Sequence, residues 1–118
     1  MVADVSVEPK SMLFKANKQE MLPMRLTNNG QKRAAVKLKC SRNDCYRVNQ
    51  VYTALEPGAS QEIEVTRYEA PAGTGEYMIV QFVEVAEPAD GSDDDARSIW
   101  ESATGFIGNI QVNLNTAD

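Results

Sequence analysis

Short runs of alternating apolar and polar residues, separated by turn residues, recur along the whole chain. In one run Leu22, Met24 and Leu26 fall on the same side, and Asn28-Asn29-Gly30 ends it. Because successive side chains of a strand point to opposite faces, each run predicts a strand with one face in a core. The predicted strands occupy residues 3–14, 21–27, 34–40, 46–55, 60–68, 77–85 and 106–114. Strands at this spacing predict an all-β sandwich or barrel.

Three places in this pattern carry a specific expectation. Pro9 breaks the first run, and Pro23 lies inside the second. Proline has no amide hydrogen for a sheet ladder, so we expect Pro23 to interrupt its strand locally. The run 77–85 is nearly continuous in apolar residues, which predicts a central strand covered on both faces.

One segment does not follow the β pattern. Residues 88–95 predict a flexible acidic loop, in which Ser92 and the aspartates after it suit a helix N-cap and first turn. Residues 96–103 can then form about two turns, docked by Ile99 and Trp100, so we expect one short helix near 93–102. The alternative of a calcium loop is disfavoured, since D-G-S-D-D-D lacks the EF-hand pattern and its glutamate at position twelve.

Composition excludes several classes of function. With 118 residues, of which 42% are hydrophobic, the sequence predicts one domain over 1–118 with a core from about 5 to 115. A net charge of −5 argues against binding to nucleic-acid phosphates. No apolar run approaches the ~20 residues that cross a bilayer, and the first residues do not form a signal sequence. We therefore expect a cytoplasmic protein without membrane insertion.

The sequence offers no catalytic, cofactor or metal site. It contains no histidine, which removes the commonest general base and metal ligand. Neither a nucleophile elbow nor a P-loop nor a dinucleotide fingerprint is present. Cys40 and Cys45 flank a turn, where a disulfide is sterically conceivable. In a reducing cytosol we instead expect Cys40 to be a small core residue and Cys45 to be partly exposed.

Half of the basic residues are concentrated in one segment. Six of the twelve lie within sixteen positions, with Asp44 the only acid among them: Lys32, Arg33, Lys37, Lys39, Arg42 and Arg47. Strand alternation turns Lys37 and Lys39 away from the apolar side of the run 34–40. Such a patch on an acidic protein predicts an acidic protein partner. The alternative is a solvated strand face that discourages edge-to-edge association.

Several short segments also occur in a characteristic order and spacing from Val7 to Leu114. They are Val7-Glu8-Pro9, Leu26-Thr27-Asn28-Asn29, Val36-Lys37-Leu38-Lys39, Tyr46-Arg47-Val48, Leu55-Glu56-Pro57-Gly58-Ala59-Ser60, Val80-Gln81 and Ile99-Trp100. In these the sequence resembles the major sperm protein (MSP) domain family, which includes nematode sperm proteins and the VAMP-associated proteins. The resemblance implies an immunoglobulin-like seven-stranded β-sandwich.

The resemblance also implies a binding face. In the VAMP-associated proteins the face that corresponds to Lys37, Lys39 and Tyr46 binds short acidic peptides with two phenylalanines. This sequence keeps both lysines, but Tyr77 and Ile79 stand where that family has a basic residue and a methionine. On the family fold these two either extend the groove or are simply packed. Tyr46 is either a core-edge aromatic or the base of the groove, and Trp100, at the chain's short helix, is expected to close the sandwich.

Taken together, these observations predict a non-enzymatic protein–protein interaction module. The domain is most similar to sperm class P and fibre-associated proteins, which implies a cytoplasmic, cytoskeleton-associated accessory of MSP-based sperm motility. A filament subunit is disfavoured by the short loop 17–20 and by Pro23. The expected partners are MSP filaments or another acidic protein segment, and the expected state is a monomer or weak dimer. The predicted partner-binding residues are Lys37, Lys39, Arg42, Tyr46, Arg47, Tyr77 and Ile79.

The alternative function is a soluble adaptor for acidic, phenylalanine-containing (FFAT-like) motifs. An adaptor of this kind needs an apolar pocket beside the lysines to hold a phenylalanine. A fibre protein needs a broader and flatter surface.

Overall fold

The structure of the chain, a computed structural model, describes residues 3–85 and 95–117. Over these residues the chain forms nine strands and one helix. They are β1 (Val5–Glu8), β2 (Ser11–Lys15), β3 (Glu20–Asn28), β4 (Ala34–Cys40), β5 (Tyr46–Val48), β6 (Tyr52–Leu55), β7 (Ser60–Arg67), β8 (Glu76–Glu84), α1 (Ala96–Ser102) and β9 (Gly108–Ala117).

The strands form two sheets that share one core. The four-stranded sheet has the order β1-β3-β7-β5, and the five-stranded sheet has the order β2-β9-β8-β4-β6. Neighbouring strands are antiparallel except β2 and β9, which run parallel. The expected immunoglobulin-like sandwich is therefore confirmed.

The core lies between the inward faces of the two sheets. Ile63 and Val65 of β7 meet Val36 of β4 and Val80 of β8 in one hydrophobic cluster, and all four are fully buried. Burying a side chain of this kind stabilises the fold by about 1.5–3 kcal/mol relative to leaving it exposed. Ile63, Val65 and Val36 belong to alternating runs, whereas Val80 belongs to the nearly continuous apolar run 77–85.

Two of the predicted runs are each divided between the sheets, which accounts for the two additional strands. The first run divides at Pro9, as expected, with β1 in one sheet and β2 in the other. The run 46–55 was predicted as one strand, which is wrong. Residues 49–51 cross between the sheets, since the Asn49 amide donates to Glu64 of β7 and the Val51 carbonyl accepts from Leu38 of β4. The inward side changes from Tyr46 and Val48 in β5 to Thr53 and Leu55 in β6, that is from even to odd positions, so the alternation is broken at the crossing.

Pro23 does not interrupt β3, contrary to the expectation. The strand continues through it, with Pro23 opposite Glu64 of β7. On its other side β3 pairs with β1 only from Arg25 to Asn28. Pro23 thus lies where β3 is an edge, and a missing amide hydrogen is tolerated there.

Strand β8 is central, as predicted, but it is covered on both faces only near one end. Val83 faces outward and is buried against Ile99 of α1 and Ala35 of β4. Tyr77, at the other end of the same outward face, is 39% exposed. The outer face of β8 is therefore open to a partner away from the helix.

The helix was placed correctly, but its N-cap was not. The Asp95 carboxylate accepts a hydrogen bond from the Ser98 amide at 2.9 Å, and this bond lowers the pKa of Asp95. Asp95 rather than Ser92 is therefore the capping residue. Ser92 itself, most of the predicted acidic loop and the calcium-loop alternative lie outside the described residues. Among the residues described, no helix has the length and apolar character that crossing a lipid bilayer requires.

Asn28 joins the two sheets through its side-chain amide. The fully buried Asn28 Nδ2 donates to the carbonyls of Lys32 and Leu55, each at 2.9 Å, and its Oδ1 accepts from the Gly30 amide at 2.9 Å. We expect Asn28→Ala to lower the free energy of unfolding by about 2 kcal/mol, because it leaves buried backbone groups without partners. Chemical denaturation of both proteins measures the difference.

Asn29→Ala is the matched control. Asn29 is exposed, and its side chain donates to Ser6 Oγ at 3.1 Å in an exposed bond. Its replacement should change the unfolding free energy by about 0.5 kcal/mol or less. Equal losses in the two variants would show that the Asn28 contacts do not hold the sheets together.

Candidate protein-binding face

Four of the predicted site residues share the outward side of the five-stranded sheet. Lys37 and Lys39 project from β4, and Tyr77 and Ile79 project from β8, because alternate residues of a strand face the same way. The β4–β8 register places Lys39 directly opposite Ile79. We refer to Lys37, Lys39, Tyr77 and Ile79 as the basic outer face.

The two lysines of the basic outer face carry positive charges that are not neutralised within the described chain. Neither forms an ion pair with any described carboxylate. Lys37 is half-buried, with its Nζ 5.5 Å from the centroid of the Tyr52 ring, whereas Lys39 is exposed. The contact with Tyr52 is within the range of a cation–π interaction and positions the Lys37 ammonium.

Beside the basic outer face lies an uncharged surface formed by β9. Asn109, Gln111 and Asn113 are opposite Gln81, Ile79 and Tyr77 respectively. Their side-chain amides are exposed and bond to neighbours, with Gln81 to Asn109 at 3.1 Å and Gln111 to Asn113 at 3.0 Å. The sheet thus presents a polar amide surface next to the two lysines.

Arg42 is close to the basic outer face in sequence, but its charge is already paired. Its guanidinium binds Asp44 through two hydrogen bonds of 2.9 and 2.8 Å and lies 3.3 Å from Glu76. The hydrogen bond from Arg42 lowers the pKa of Asp44 to about 2, so the carboxylate is charged at neutral pH. A partner that bound Arg42 would have to compete with Asp44.

Two further predicted site residues lie elsewhere. Arg47 is exposed on β5, which belongs to the four-stranded sheet, and donates to the Asn43 carbonyl at 3.3 Å. Tyr46 is 1% exposed and packs edge-to-face on Phe14, with ring centroids 5.6 Å apart. Tyr46 is therefore a core residue that offers no surface to a partner, which corrects its assignment to the face.

The six basic residues between positions 32 and 47 also do not form one patch. Lys32 and Arg33 precede β4 and lie near Glu84 and Glu56, at 3.8 and 3.9 Å. Arg42 follows the same strand at its opposite end. The seven residues of β4 lie between the two groups. Since each residue adds about 3.3 Å to the length of a strand, the groups are roughly 20 Å apart. Sequence clustering therefore overstated the local positive charge.

A buried polar network joins the two sheets behind the basic outer face, and sequence reasoning missed it. Arg67 of β7 and Glu76 of β8 have almost fully buried side chains, with Arg67 Nη2 3.8 Å from Glu76 Oε1. The Tyr46 hydroxyl donates to Glu76 Oε1 at 2.9 Å and accepts from Arg67 Nε at 3.1 Å. Burial and the bond to Glu76 raise the pKa of Tyr46 to about 12, so its hydroxyl keeps the proton that it donates.

The cysteines are placed the opposite way from the expectation. Cys45 is buried, Cys40 is half-buried, and both are free thiols. Cys45 packs in the core cluster, and its Sγ is 3.4 Å from Arg42 Nη2. Burial raises the pKa of the Cys40 thiol. In the part of the chain that the structure describes, no cluster of acids and cysteines could hold a metal ion.

A groove of about 590 Å³ opens beside Lys37, between α1 and the outer side of the five-stranded sheet. Residues that contribute to its lining include Lys37, Tyr52, Val83, Arg97, Trp100 and Ile107. Trp100 was expected to close the sandwich; instead it is partly buried on the outer side, where it packs near Val83 and Ile99. Tyr52 and Arg97 were not predicted as site residues, because their distances from Lys37 along the chain gave no sign that they are close to it in space.

Comparison with known proteins gives a consistent result. The profile of the MSP (Major sperm protein) domain matches residues 4–105. Sperm-specific class P protein 32 of Caenorhabditis elegans is 34% identical over 92 residues, which cover 78% of this chain and 82% of the relative. An uncharacterized C. elegans protein is 32% identical over 89 residues, 75% of this chain but 43% of that protein.

Solved structures resemble this chain more closely in fold than in sequence. SSP-19, an MSP-domain protein like family member from C. elegans, superposes with a TM-score of 0.81. The superposition covers 96% of this chain and 99% of SSP-19 at 20% sequence identity. At that identity the likeness shows a shared sandwich.

Proposed function

The chain belongs to the MSP domain family, and from this we propose that it is a non-enzymatic protein–protein interaction module that serves MSP-based motility in nematode sperm. Its role is that of a cytoplasmic, cytoskeleton-associated accessory protein. It binds acidic segments of MSP filaments, or of another protein, through the basic outer face.

The observation that carries this proposal is the pair Lys37 and Lys39. Both face outward on one strand, and neither is paired with a described carboxylate, although the chain as a whole has a net charge of −5. Cations in such a setting attract an acidic partner, whereas the rest of the surface repels it. The exposed amide side chains of β9 beside them extend the polar surface available to a filament.

Pro23 does not help to decide between an accessory protein and a filament subunit. The expectation against a subunit rested partly on an interrupted strand, and β3 is continuous through Pro23. The accessory role is therefore supported by the sperm-specific relatives and by the basic outer face, and it requires a direct test.

We expect the protein to co-sediment with preformed MSP filaments, and Lys37→Glu/Lys39→Glu to reduce that binding. Each reversal replaces attraction to an acidic surface by repulsion, at about 1 kcal/mol or more apiece, so affinity should fall at least about tenfold. The pelleted fraction as a function of filament concentration measures the affinity.

The matched control is Lys15→Glu/Lys18→Glu, which makes the same change in net charge at two exposed lysines away from the basic outer face. This variant should pellet like wild type. Equal loss in both variants would indicate a general charge effect, and pelleting that neither variant changes would remove the basic outer face from the proposal. Absence of pelleting by the wild-type protein contradicts the filament partner itself.

A second candidate function is an adaptor for acidic, phenylalanine-containing motifs. The specific observation in its favour is the groove beside Lys37, since an adaptor needs an apolar pocket next to a lysine. Wild-type protein that binds such a peptide but does not pellet with filaments would favour the adaptor.

A further inference from the structure

We propose that Ser41 is a phosphorylation site, and that a phosphate on its hydroxyl closes the basic outer face to acidic partners. The modifying enzyme is a serine/threonine kinase of the class that selects basic residues around its acceptor. The effect on partners rests on the proposed function, whereas the modification itself does not.

Ser41 lies at the border of the basic outer face. It directly follows β4 and comes two positions after Lys39. The Ser41 amide donates to the Tyr77 carbonyl at 2.9 Å, and the Tyr77 amide donates to Ser41 Oγ at 3.0 Å. Because each residue of a strand adds about 3.3 Å, the backbone of Lys39 is roughly 7 Å away. The hydroxyl is therefore held beside two residues of the basic outer face.

The surroundings of Ser41 suit a kinase that selects basic substrates. Ser41 is exposed, and the turn that follows it is exposed as far as Asp44. Three basic residues lie within four positions of it, namely Lys37, Lys39 and Arg42. The one acid within that distance, Asp44, is paired with Arg42. No other serine or threonine in the ranges 3–85 and 95–117 has so basic a neighbourhood in the sequence, and kinases discriminate substrates by such charge patterns.

The reaction at Ser41 is a phosphoryl transfer from Mg-ATP. Ser41 Oγ attacks the γ-phosphorus and forms the new O–P bond, while the bond from that phosphorus to the β,γ-bridging oxygen breaks and ADP leaves. The hydroxyl proton passes to the catalytic aspartate of the kinase. Since Oγ accepts the Tyr77 amide in the folded domain, this last rung beside β4 has to open first. A rung at the end of a strand opens far more easily than the whole domain unfolds.

A phosphate at this position cancels the charge of the basic outer face. It carries about −1.5 to −2 at neutral pH, whereas Lys37 and Lys39 carry one positive charge each. Neither lysine pairs with a described carboxylate, and the exposed Lys39 is the nearer of the two. Its ammonium can therefore bind the phosphate oxygens in a charge-assisted hydrogen bond. An acidic partner then meets a surface without excess positive charge, and its attraction to that surface is lost.

Phosphate incorporation tests the site. The folded protein is incubated with Mg-ATP and the catalytic domain of protein kinase C, which prefers basic residues near its acceptor, and mass spectrometry of the digested protein locates the phosphate. We expect it on Ser41. Ser41→Ala should lose this phosphate, whereas Ser11→Ala, at an exposed serine of β2, should keep it. Absence of phosphate from Ser41 in the wild-type protein overturns the proposal.

Two pairs of lysine substitutions test why the kinase selects Ser41. Lys37→Ala/Lys39→Ala should slow the modification at least about fivefold, because it removes the positive charges before the acceptor. Lys15→Ala/Lys18→Ala makes the same change in net charge at two exposed lysines and should leave the rate unchanged. Equal rates in the two variants would contradict the part that we assign to the basic outer face.

The contact between the phosphate and Lys39 has a readout of its own. Phosphorus NMR follows the titration of the phosphate, whose second pKa is about 6 in a peptide. We expect a lower pKa for the phosphate on Ser41 of the folded domain, because a nearby ammonium favours the dianion. Lys39→Ala should return the pKa towards the peptide value, whereas Lys15→Ala should not. An unshifted pKa in the wild-type protein contradicts the contact.

Filament binding tests the closing of the face. Phosphorylated protein should co-sediment with MSP filaments at least about tenfold more weakly than unmodified protein, whereas Ser41→Ala should pellet alike with and without kinase treatment. Unchanged pelleting of the phosphorylated protein overturns the closing of the face. If unmodified wild-type protein does not pellet, the filament function fails by itself, and mass spectrometry and phosphorus NMR still decide whether Ser41 is modified and whether Lys39 binds the phosphate.

Discussion

Arg67→Met is expected to lower the free energy of unfolding by about 3–5 kcal/mol, because it removes the cation of a buried ion pair and leaves the anion in place. Besides Glu76 and Tyr46, the Arg67 guanidinium binds the carbonyls of Ala70 and Pro71 at 3.1 and 2.8 Å. The substitution removes all of these contacts and leaves a buried carboxylate less well compensated. Thermal unfolding should shift downward by roughly 10 °C or more for a domain of this size.

Arg25→Met provides the control, since Arg25 is exposed on β3 of the same sheet. It should change stability by about 0.5 kcal/mol or less. A double-mutant cycle with Glu76→Gln tests the mechanism: the combined loss should be smaller than the sum, because neither charge is then left buried alone. Additive losses would mean that Arg67 stabilises the fold through its apolar stem and the loop carbonyls, not through Glu76.

Phe14→Ala is expected to have a comparable effect, about 3–5 kcal/mol, for a different reason. Phe14 is fully buried on β2 and packs edge-to-face on Tyr46 of the opposite sheet. Its truncation loses the transfer free energy of the ring and leaves a cavity. It also removes an aromatic pair, which is worth about 0.5–1.5 kcal/mol beyond area burial. Denaturant unfolding followed by Trp100 fluorescence measures the loss.

The neighbouring residue supplies the control for this prediction. Leu13 is 62% exposed on the opposite side of β2, so Leu13→Ala should cost about 0.5 kcal/mol or less. A cost for Leu13→Ala that approaches the Phe14 value would mean that the outer side of β2 is covered in solution. A small cost for Phe14→Ala would contradict the packing between the two sheets.

Much of the fold was predictable because the periodicity of apolar residues is a property of the chain itself. The run 60–68 was predicted to have one buried face, which Ile63 and Val65 form, and α1 was predicted from its position after an acidic run. The crossing at residues 49–51 was missed, although the inward side changes from even positions in β5 to odd positions in β6, which one continuous strand does not allow.

The buried network could have been suspected from the same periodicity. Arg67 continues the inward series of Ile63 and Val65, and Glu76 precedes Met78 in the inward series of β8. A basic residue and an acidic residue at core positions of two strands suggest a buried ion pair. Their contact could not be derived, because it depends on how the two sheets are stacked.

The positions of the proposed binding residues were only partly predictable, for a related reason. Strand alternation identified Lys37 and Lys39 as outward residues, and the structure places Tyr77 and Ile79 beside them. Proximity in sequence, however, made Arg42 appear available, although Asp44 and Glu76 pair with it in three dimensions. Residues that are clustered in the sequence are reliably close in space only when they belong to the same strand or helix.

The parallel pair of β2 and β9 has a consequence for how the protein is made. Asn115 of β9 donates to Ser11 of β2 across 104 positions of sequence. During translation β2 leaves the ribosome before β3 to β8, whereas its only strand neighbour within the described residues, β9, follows all of them. The five-stranded sheet therefore cannot be completed until β9 has left the ribosome, and the nascent chain must remain unaggregated with an incomplete sheet in the meantime.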